Sequence, residues 1–200
     1  MKANPDYQGR YTVPTLWDKQ AETIVNNESS EIIRMFYSAF DSLLPSHIRE
    51  ANKPHGGLLA PSLLPKIEEL NAWIYPELNN GVYKTGFASS QEAYDENVQI
   101  VFTALDKLEE HLSTVENEGP YMLGENLTDV DIRVFTTLIR FDVGYYTIFR
   151  CNLKMVRHDY PKLHRWLRFV YWDESDETKG AFRKTTDFDS VSSTLLALHW

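Results

Sequence analysis

Residues 11–36, YTVPTLWDKQAETIVNNESSEIIRMF, open on a short β-prone run, Tyr11-Thr12-Val13, that meets Pro14 directly. A proline there removes a ladder donor, so the run is an edge strand or a strand ending in a turn. Leu16-Trp17-Asp18 continues extended, Asp18-Lys19-Gln20-Ala21-Glu22 reads as a hairpin turn, and Thr23-Ile24-Val25 as the returning strand. After the polar segment from Asn26 to Ser30, Glu31-Ile32-Ile33-Arg34-Met35-Phe36 runs at helical spacing. Asn27 or Ser29 is the expected N-cap, with two acids in the first turn. This order of strand, proline, strand, polar turn and helix start suits a small anionic peptide. Exposed backbone beside a cis proline can pair with an extended ligand, and free N–H groups at a helix start favour a carboxylate. An ordinary hairpin followed by a capped helix accounts for the same residues.

Composition narrows the field. Two hundred residues can bury a substantial core, as one large domain or two small ones. A net charge of −9 with no offsetting Lys/Arg cluster argues against a nucleic-acid partner. No apolar run approaches the length of a membrane span, and the polar start MKANPDYQGR does not read as a secretory signal. One cysteine excludes an intramolecular disulfide framework and fits a reducing compartment, so a cytoplasmic location is expected.

The rest of the chain reads as helices. Pro45, Pro54 and Pro61 punctuate a connector after the first helix, part of which is expected to be helical or packed. From Ser62, Leu63, Ile67, Leu70 and Ile74 mark a helix face that ends near Asn79-Asn80-Gly81, with Pro76 kinking or stopping it. GVYKTGFA (81–88) is expected to be a glycine-bracketed loop carrying Tyr83 and Phe87. Ser89-Ser90-Gln91-Glu92 has capping-box spacing, and Val98, Val101, Phe102, Leu105, Leu108 and Leu112 give the next helix its apolar face. Thr128 is the expected N-cap of a further helix, with Asp131 reaching back to it. The following IRVFTTLIRF is apolar on almost every side, as in the middle of a bundle. Residues 142–151 end that helix. His158-Asp159-Tyr160-Pro161 starts another, with Asp159 as cap and Leu163, Trp166, Leu167 and Val170 buried. Residues 173–179 are expected to be charged and exposed.

The runs TVPTLWDK (12–19) and TIVNNESSEIIR (23–34) closely resemble the glutathionyl-hydroquinone reductases, the xi-class, omega-like glutathione transferases, and the likeness runs from about Asn4 to Phe188. Leu123-Gly124-Glu125-Asn126-Leu127 before Thr128 resembles the turn that precedes the capped core helix across glutathione transferases. The resemblance implies a mostly α fold. An incomplete thioredoxin-like α/β half (1–40) and a linker (41–61) precede an all-helical C-terminal domain (62–188), with a divergent tail (189–200). It implies that Val13, before a cis Pro14, offers backbone hydrogen bonds to the cysteinyl part of glutathione, and that Glu28 and Ser29 hold its γ-glutamyl end. It also implies that Tyr83 and Tyr145 line a hydroquinone pocket; the family's usual histidine three residues after the second tyrosine is replaced by Ile148. Glutathione is then the co-substrate, aromatic quinols the partners, and the complete protein a homodimer. The family's catalytic cysteine lies in a strand–helix–strand portion that this chain starts too late to contain. The expectation is therefore a truncated chain, inactive in thiol exchange. A non-catalytic helical binding or scaffold protein, and a fragment with an uncovered sheet edge and no function of its own, are the rival readings.

Among the residues themselves, Cys151 has Arg150 and Lys154 as neighbours, but an apolar helical setting makes it a buried structural thiol. The six histidines show no i, i+4 pair with an acid, so no metal site is expected. There is no nucleophile elbow and no glycine-rich phosphate loop. Each tyrosine, taken alone, is an aromatic at a helix end; a phenol can nonetheless donate to a quinol oxygen while its ring stacks on the substrate.

Overall fold

The computed structural model describes residues 13–115 and 119–191. The chain divides into two compact units, Met1–Leu58 and Leu59–Trp200. In the first, strands β1 (Leu16–Asp18) and β2 (Thr23–Asn26) form an antiparallel hairpin, with Trp17 opposite Ile24 and Asp18 opposite Thr23. The Asp18 carboxylate closes the turn by accepting from Gln20 N at 2.7 Å and Ala21 N at 2.8 Å. Those two bonds hold its pKa below the usual carboxylate value. Tyr11 and Thr12, expected to begin the strand, lie outside the described residues, and Val13 sits in a bend.

Helix α1 (Ser29–Ser38) follows, but its cap is Glu28 rather than Asn27 or Ser29. Asn26 explains the shift. Its Oδ1 accepts from Glu28 N at 2.6 Å, an Asx turn that sets residue 28 at the helix boundary. Glu28 Oε1 then accepts from Ser30 N at 3.3 Å and from Ser30 Oγ at 3.2 Å. The connector is a series of short 3₁₀ turns, Asp41–Leu43, Ser46–Ile48, Glu50–Asn52 and Pro54–Gly56. Asp41 stitches it by accepting from Glu50 N at 2.6 Å and Ala51 N at 3.2 Å. Arg49 binds the carbonyls of Leu44 and Ser42.

The second unit is a helical bundle. Helix α2 (Leu64–Trp73) does not stop near Pro76; it widens into a π-type turn, Ile74–Asn79, which absorbs the missing proline donor. Residues 81–86 form helix α3 (Gly81–Gly86), not the expected loop. Its glycines mark close approach: a Cβ on Gly81 would lie 3.0 Å from Val101 Cγ2, and one on Gly86 would lie 2.3 Å from Phe149 Cγ. Helix α4 (Gln91–Val115) buries the whole expected face from Val98 to Leu112. Its capping hydroxyl is that of Ser90, one residue later than the Ser-x-x-Glu spacing indicates, and it accepts from Ala93 N at 3.2 Å.

Helix α5 (Asp129–Arg140) runs through the core and continues through a second π-type turn, Phe141–Tyr145, into α6 (Tyr146–Ile148). Residues 142–151 therefore extend the helix before ending it. His158 and Asp159 belong to a separate short helix α7 (Val156–Asp159), where the Asp159 carboxylate accepts from Met155 N at 2.7 Å. Helix α8 (Pro161–Trp172) starts at Pro161 with Tyr160 at the cap position, and a different acid serves it. Glu109 of α4 accepts from Lys162 N and Leu163 N, both at 2.8 Å. Asp142 does the same for α7, through Val156 N and Arg157 N. Leu163, Trp166 and Val170 are buried as expected; Leu167 is half-buried. In the segment expected to be exposed, Thr178 is buried and Asp173 half-buried. Helix α9 (Ala181–Lys184) follows, and residues 192–200 of the divergent tail lie outside the described residues.

The start of α5 fixes the bundle. Asp131, fully buried, reaches back so that Oδ2 accepts from Thr128 N at 2.9 Å and Thr128 Oγ at 3.0 Å. Its Oδ1 accepts from Met122 N at 2.8 Å and Trp166 Nε1 at 3.3 Å. One carboxylate thus ties the 119–127 turn and α8 to the head of α5. Burial raises its pKa to about 6, outweighing the hydrogen bonds that favour ionisation. Because the folded state holds this proton more tightly than the unfolded chain, stability rises as pH falls from about 7 towards 4, by up to about 3 kcal/mol in all, of which about 1 kcal/mol is gained by pH 5. Urea unfolding between pH 7.5 and 5 is expected to show that rise in the native sequence and to lose it in Asp131→Asn. A variant that gains stability as steeply as the parent would assign the effect to another group. Thr128→Ala, which removes the hydroxyl partner, is expected to lower stability by about 0.5–2 kcal/mol at neutral pH.

Candidate functional site

In the first unit, the Val13–Pro14 peptide is cis. Val13 is 92% exposed, so its backbone is open to a ligand laid along it. Just beyond β2, at the same open end of the hairpin, Glu28 is exposed and Ser29 half-buried at the first turn of α1, where unpaired N–H groups gather. Glu28 is already engaged in capping through Ser30, which fixes its carboxylate at the mouth of the helix. The sequence marked residue 28 as a ligand contact and not as a cap. The Asn26 turn that makes it the cap is visible only in the folded chain.

In the second unit, Tyr83 of α3 and Tyr145 of the 141–145 turn meet hydroxyl to hydroxyl at 3.1 Å, with their rings edge-on and centroids 5.7 Å apart. They stand 62 residues apart in sequence. Phe149 packs against both at 5.4 Å, and Phe87 packs on Phe149 at 5.3 Å. Tyr83 and Phe87 present an open aromatic shelf, 36% and 55% exposed, over a Tyr145 that is 1% exposed. Burial and the bond to Tyr83 push the Tyr145 phenol above its usual pKa, and the Arg140 guanidinium beside it pulls the other way. Ile148, where the resemblance has histidine, is buried.

Arg140 and Phe149 escaped the sequence reading. Phe149 could have been found: Phe141, Tyr145 and Phe149 recur every four residues, and such neighbours touch on a helix. Arg140 could not. In a regular α-helix a residue five positions on lies about 140° around the axis, and only the wider turn at 141–145 returns Tyr145 to the side of Arg140.

Cys151 is fully buried, and desolvation pushes its thiol up to about 12. It is inert as a nucleophile at neutral pH. Among the described residues no group of three or more His, Cys, Asp or Glu could hold a metal ion. None of their helices is long and apolar enough to cross a membrane.

Comparison with known proteins gives this geometry a context. Residues 91–169 match the family described as Glutathione S-transferase, C-terminal domain. The chain is 47% identical over 190 residues to Glutathione S-transferase omega-like 2 of Schizosaccharomyces pombe, covering 95% of this chain and 57% of that protein. It is 45% identical over 199 residues to the Glutathionyl-hydroquinone reductase YqjG of Escherichia coli, covering 100% of this chain and 55% of that one. The Xi glutathione transferase ECM4 of Saccharomyces cerevisiae, solved in complex with glutathione, superposes with a TM-score of 0.82 at 42% identity, over 95% of this chain and 58% of that one. The chain thus spans little more than half the length of the curated relatives it matches. Mostly helical, the chain is similar over nearly its whole length to xi-class and omega-like glutathione transferases.

Proposed function

We propose that these residues serve the glutathione-dependent reduction of glutathionyl-hydroquinones by thiol exchange. The observation that carries the reading is the Tyr83–Tyr145 hydroxyl pair at 3.1 Å, half open to solvent and walled by Phe87 and Phe149. A phenol pair so placed can hold a quinol oxygen while the aromatic walls take the ring. Glutathione, seen bound in the ECM4 relative, would lie along the Val13 backbone, with its γ-glutamyl end against Glu28 and the N–H groups near Ser29. In the exchange, a thiolate attacks the glutathionyl sulfur of the substrate. The carbon–sulfur bond breaks, the ring carbon takes the electron pair and then a proton, and a protein–glutathione disulfide remains. A second glutathione attacks that disulfide, releasing oxidised glutathione and restoring the thiolate.

Cys151 cannot supply that thiolate, because burial holds it protonated. Within these 200 residues the reading therefore assigns ligand holding and proton donation, not nucleophilic attack. The helical unit alone could still bind an apolar ligand or partner, and affinity chromatography separates the two.

The 200-residue chain is expected to turn over a glutathionylated quinol no faster than a no-protein control; turnover above that level would overturn the assignment of the nucleophile elsewhere. It is also expected to be retained on glutathione resin, and Ser29→Ala with Glu28→Gln to weaken retention while Cys151→Ala leaves it unchanged. Free passage of the native sequence through the resin would remove the peptide-site half of the reading.

A further inference from the structure

We infer that the second unit carries a binding site for an amphiphilic anion, a free alkyl carboxylate whose head group lies against Arg168 and whose chain lies in the groove between α5 and α8. The inference stands apart from the phenol cluster and the peptide site and uses none of their residues.

Two concavities meet at α8. The first, of about 460 Å³, takes its cations from Arg157 and His158 of α7 and from His164, Arg165 and Arg168 of α8. No acidic residue is among the described residues that line it. The second, of about 210 Å³, is an apolar slot. Leu138 of α5 and Val143 of the 141–145 turn line it together with Leu167 and Tyr171 of α8, and Phe188 adds a half-exposed ring. Arg157, His164 and Arg168 line both. The cations therefore stand on the boundary between a polar mouth and an apolar slot, the arrangement that an anionic head with a hydrocarbon tail requires.

Nothing within the fold balances these charges. In a chain of net charge −9, the twelve residues of α8 contain no acid. Arg165 and Arg168 stand three apart, where like charges weaken a helix. Neither lies in the last turn, where the helix dipole would favour a cation. Asp142, the acid of the apolar slot, spends its oxygens on Val156 N at 2.8 Å and Arg157 N at 3.0 Å, and the Arg157 Nε lies 3.7 Å from it. Arg165 is engaged with the protein, but among the described residues no acid pairs with Arg168. Arg168 is thus the guanidinium left for a ligand, and its planar fork matches a carboxylate.

The same facts set the size and charge of the ligand. An exposed ion pair by itself contributes little, so a bare anion would be held weakly; burying an alkyl chain in the slot supplies the rest. A broad anionic surface would meet the negative field of the whole chain. A single head group beside Arg168 meets chiefly the local charges, because salt screens those beyond about 10 Å.

The test is calorimetric titration of the 200-residue chain with octanoate, with 1-octanol and acetate as the tail and the head alone. Octanoate is expected to bind one per chain and at least about tenfold more tightly than either, the size of one charge-assisted hydrogen bond. Arg168→Gln is expected to weaken octanoate by about tenfold, and Arg168→Lys, which keeps the charge and loses the fork, by less. Phe188→Ala is expected to weaken it several-fold, whereas Lys66→Gln, which removes an equal charge from the exposed side of α2, leaves it unchanged. Retention on glutathione resin is expected to be the same for Arg168→Gln as for the native sequence, so this site and the peptide site can fail separately. Octanol binding as tightly as octanoate would reduce the site to its apolar slot, and acetate doing so would reduce it to its cations; either overturns the inference. So does an absence of octanoate binding, an undiminished affinity in Arg168→Gln, or an equal loss in Lys66→Gln. Sedimentation with phosphatidylglycerol vesicles that Arg168→Gln abolishes, in a chain that ignores octanoate, would assign the cations to a lipid surface instead. All four substitutions change side chains at least half-exposed to solvent, and Arg168→Lys decides the head-group contact should Arg168→Gln not fold.

Discussion

Asp131 has no water to turn to. Its two oxygens take four donors from three parts of the second unit, the 119–127 turn, the head of α5 and Trp166 of α8. A buried carboxylate without those partners would be costly enough to open the bundle; with them it specifies one arrangement of the elements it touches. The phenol pair depends on that arrangement, because Tyr145 hangs from the far end of the same helix whose start Asp131 secures. A single polar group thus sets the angle at which a helix enters the core, and the chemistry is read out four turns later.

Other carboxylates work by the same rule at shorter reach. Glu109 and Asp142 each present two oxygens to two consecutive backbone N–H groups at the start of α8 and α7. A helix start needs acceptors for its unpaired donors, and these come from side chains on neighbouring elements rather than from the flanking sequence. The chain's excess of acid over base is in part this internal use of carboxylates and not a surface property alone.

Legibility in the sequence follows the range of each interaction. The hairpin around Asp18, the Thr128–Asp131 box and the apolar face of α4 all lie within a few residues, and spacing revealed them. What spacing missed was decided at a distance. Glycines at 81 and 86 look like loop punctuation, yet they are there because Val101 and Phe149 press against the helix backbone. Asp159 looks like the cap of the Pro161 helix, but Glu109 holds that position from 53 residues away. Pro76 reads as a stop, and the chain passes it by widening one turn. Of the candidate site, both tyrosines and the cis proline were named from motif resemblance. The pull of the Arg140 charge on Tyr145 was hidden, since the two come to one side only where the helix departs from its regular period.

The turn at Phe141–Tyr145 accommodates one residue more than a regular spiral needs. Deleting that spare residue would let α5 run on smoothly with its core intact, but would swing everything after it by about 100° and carry the inner phenol away from its mate. Scaffold and chemistry are therefore separable by a change in length without any change in residue type. Among chains of this architecture, a missing position in this loop-like stretch of helix would mark those that have kept the bundle and given up the paired phenols.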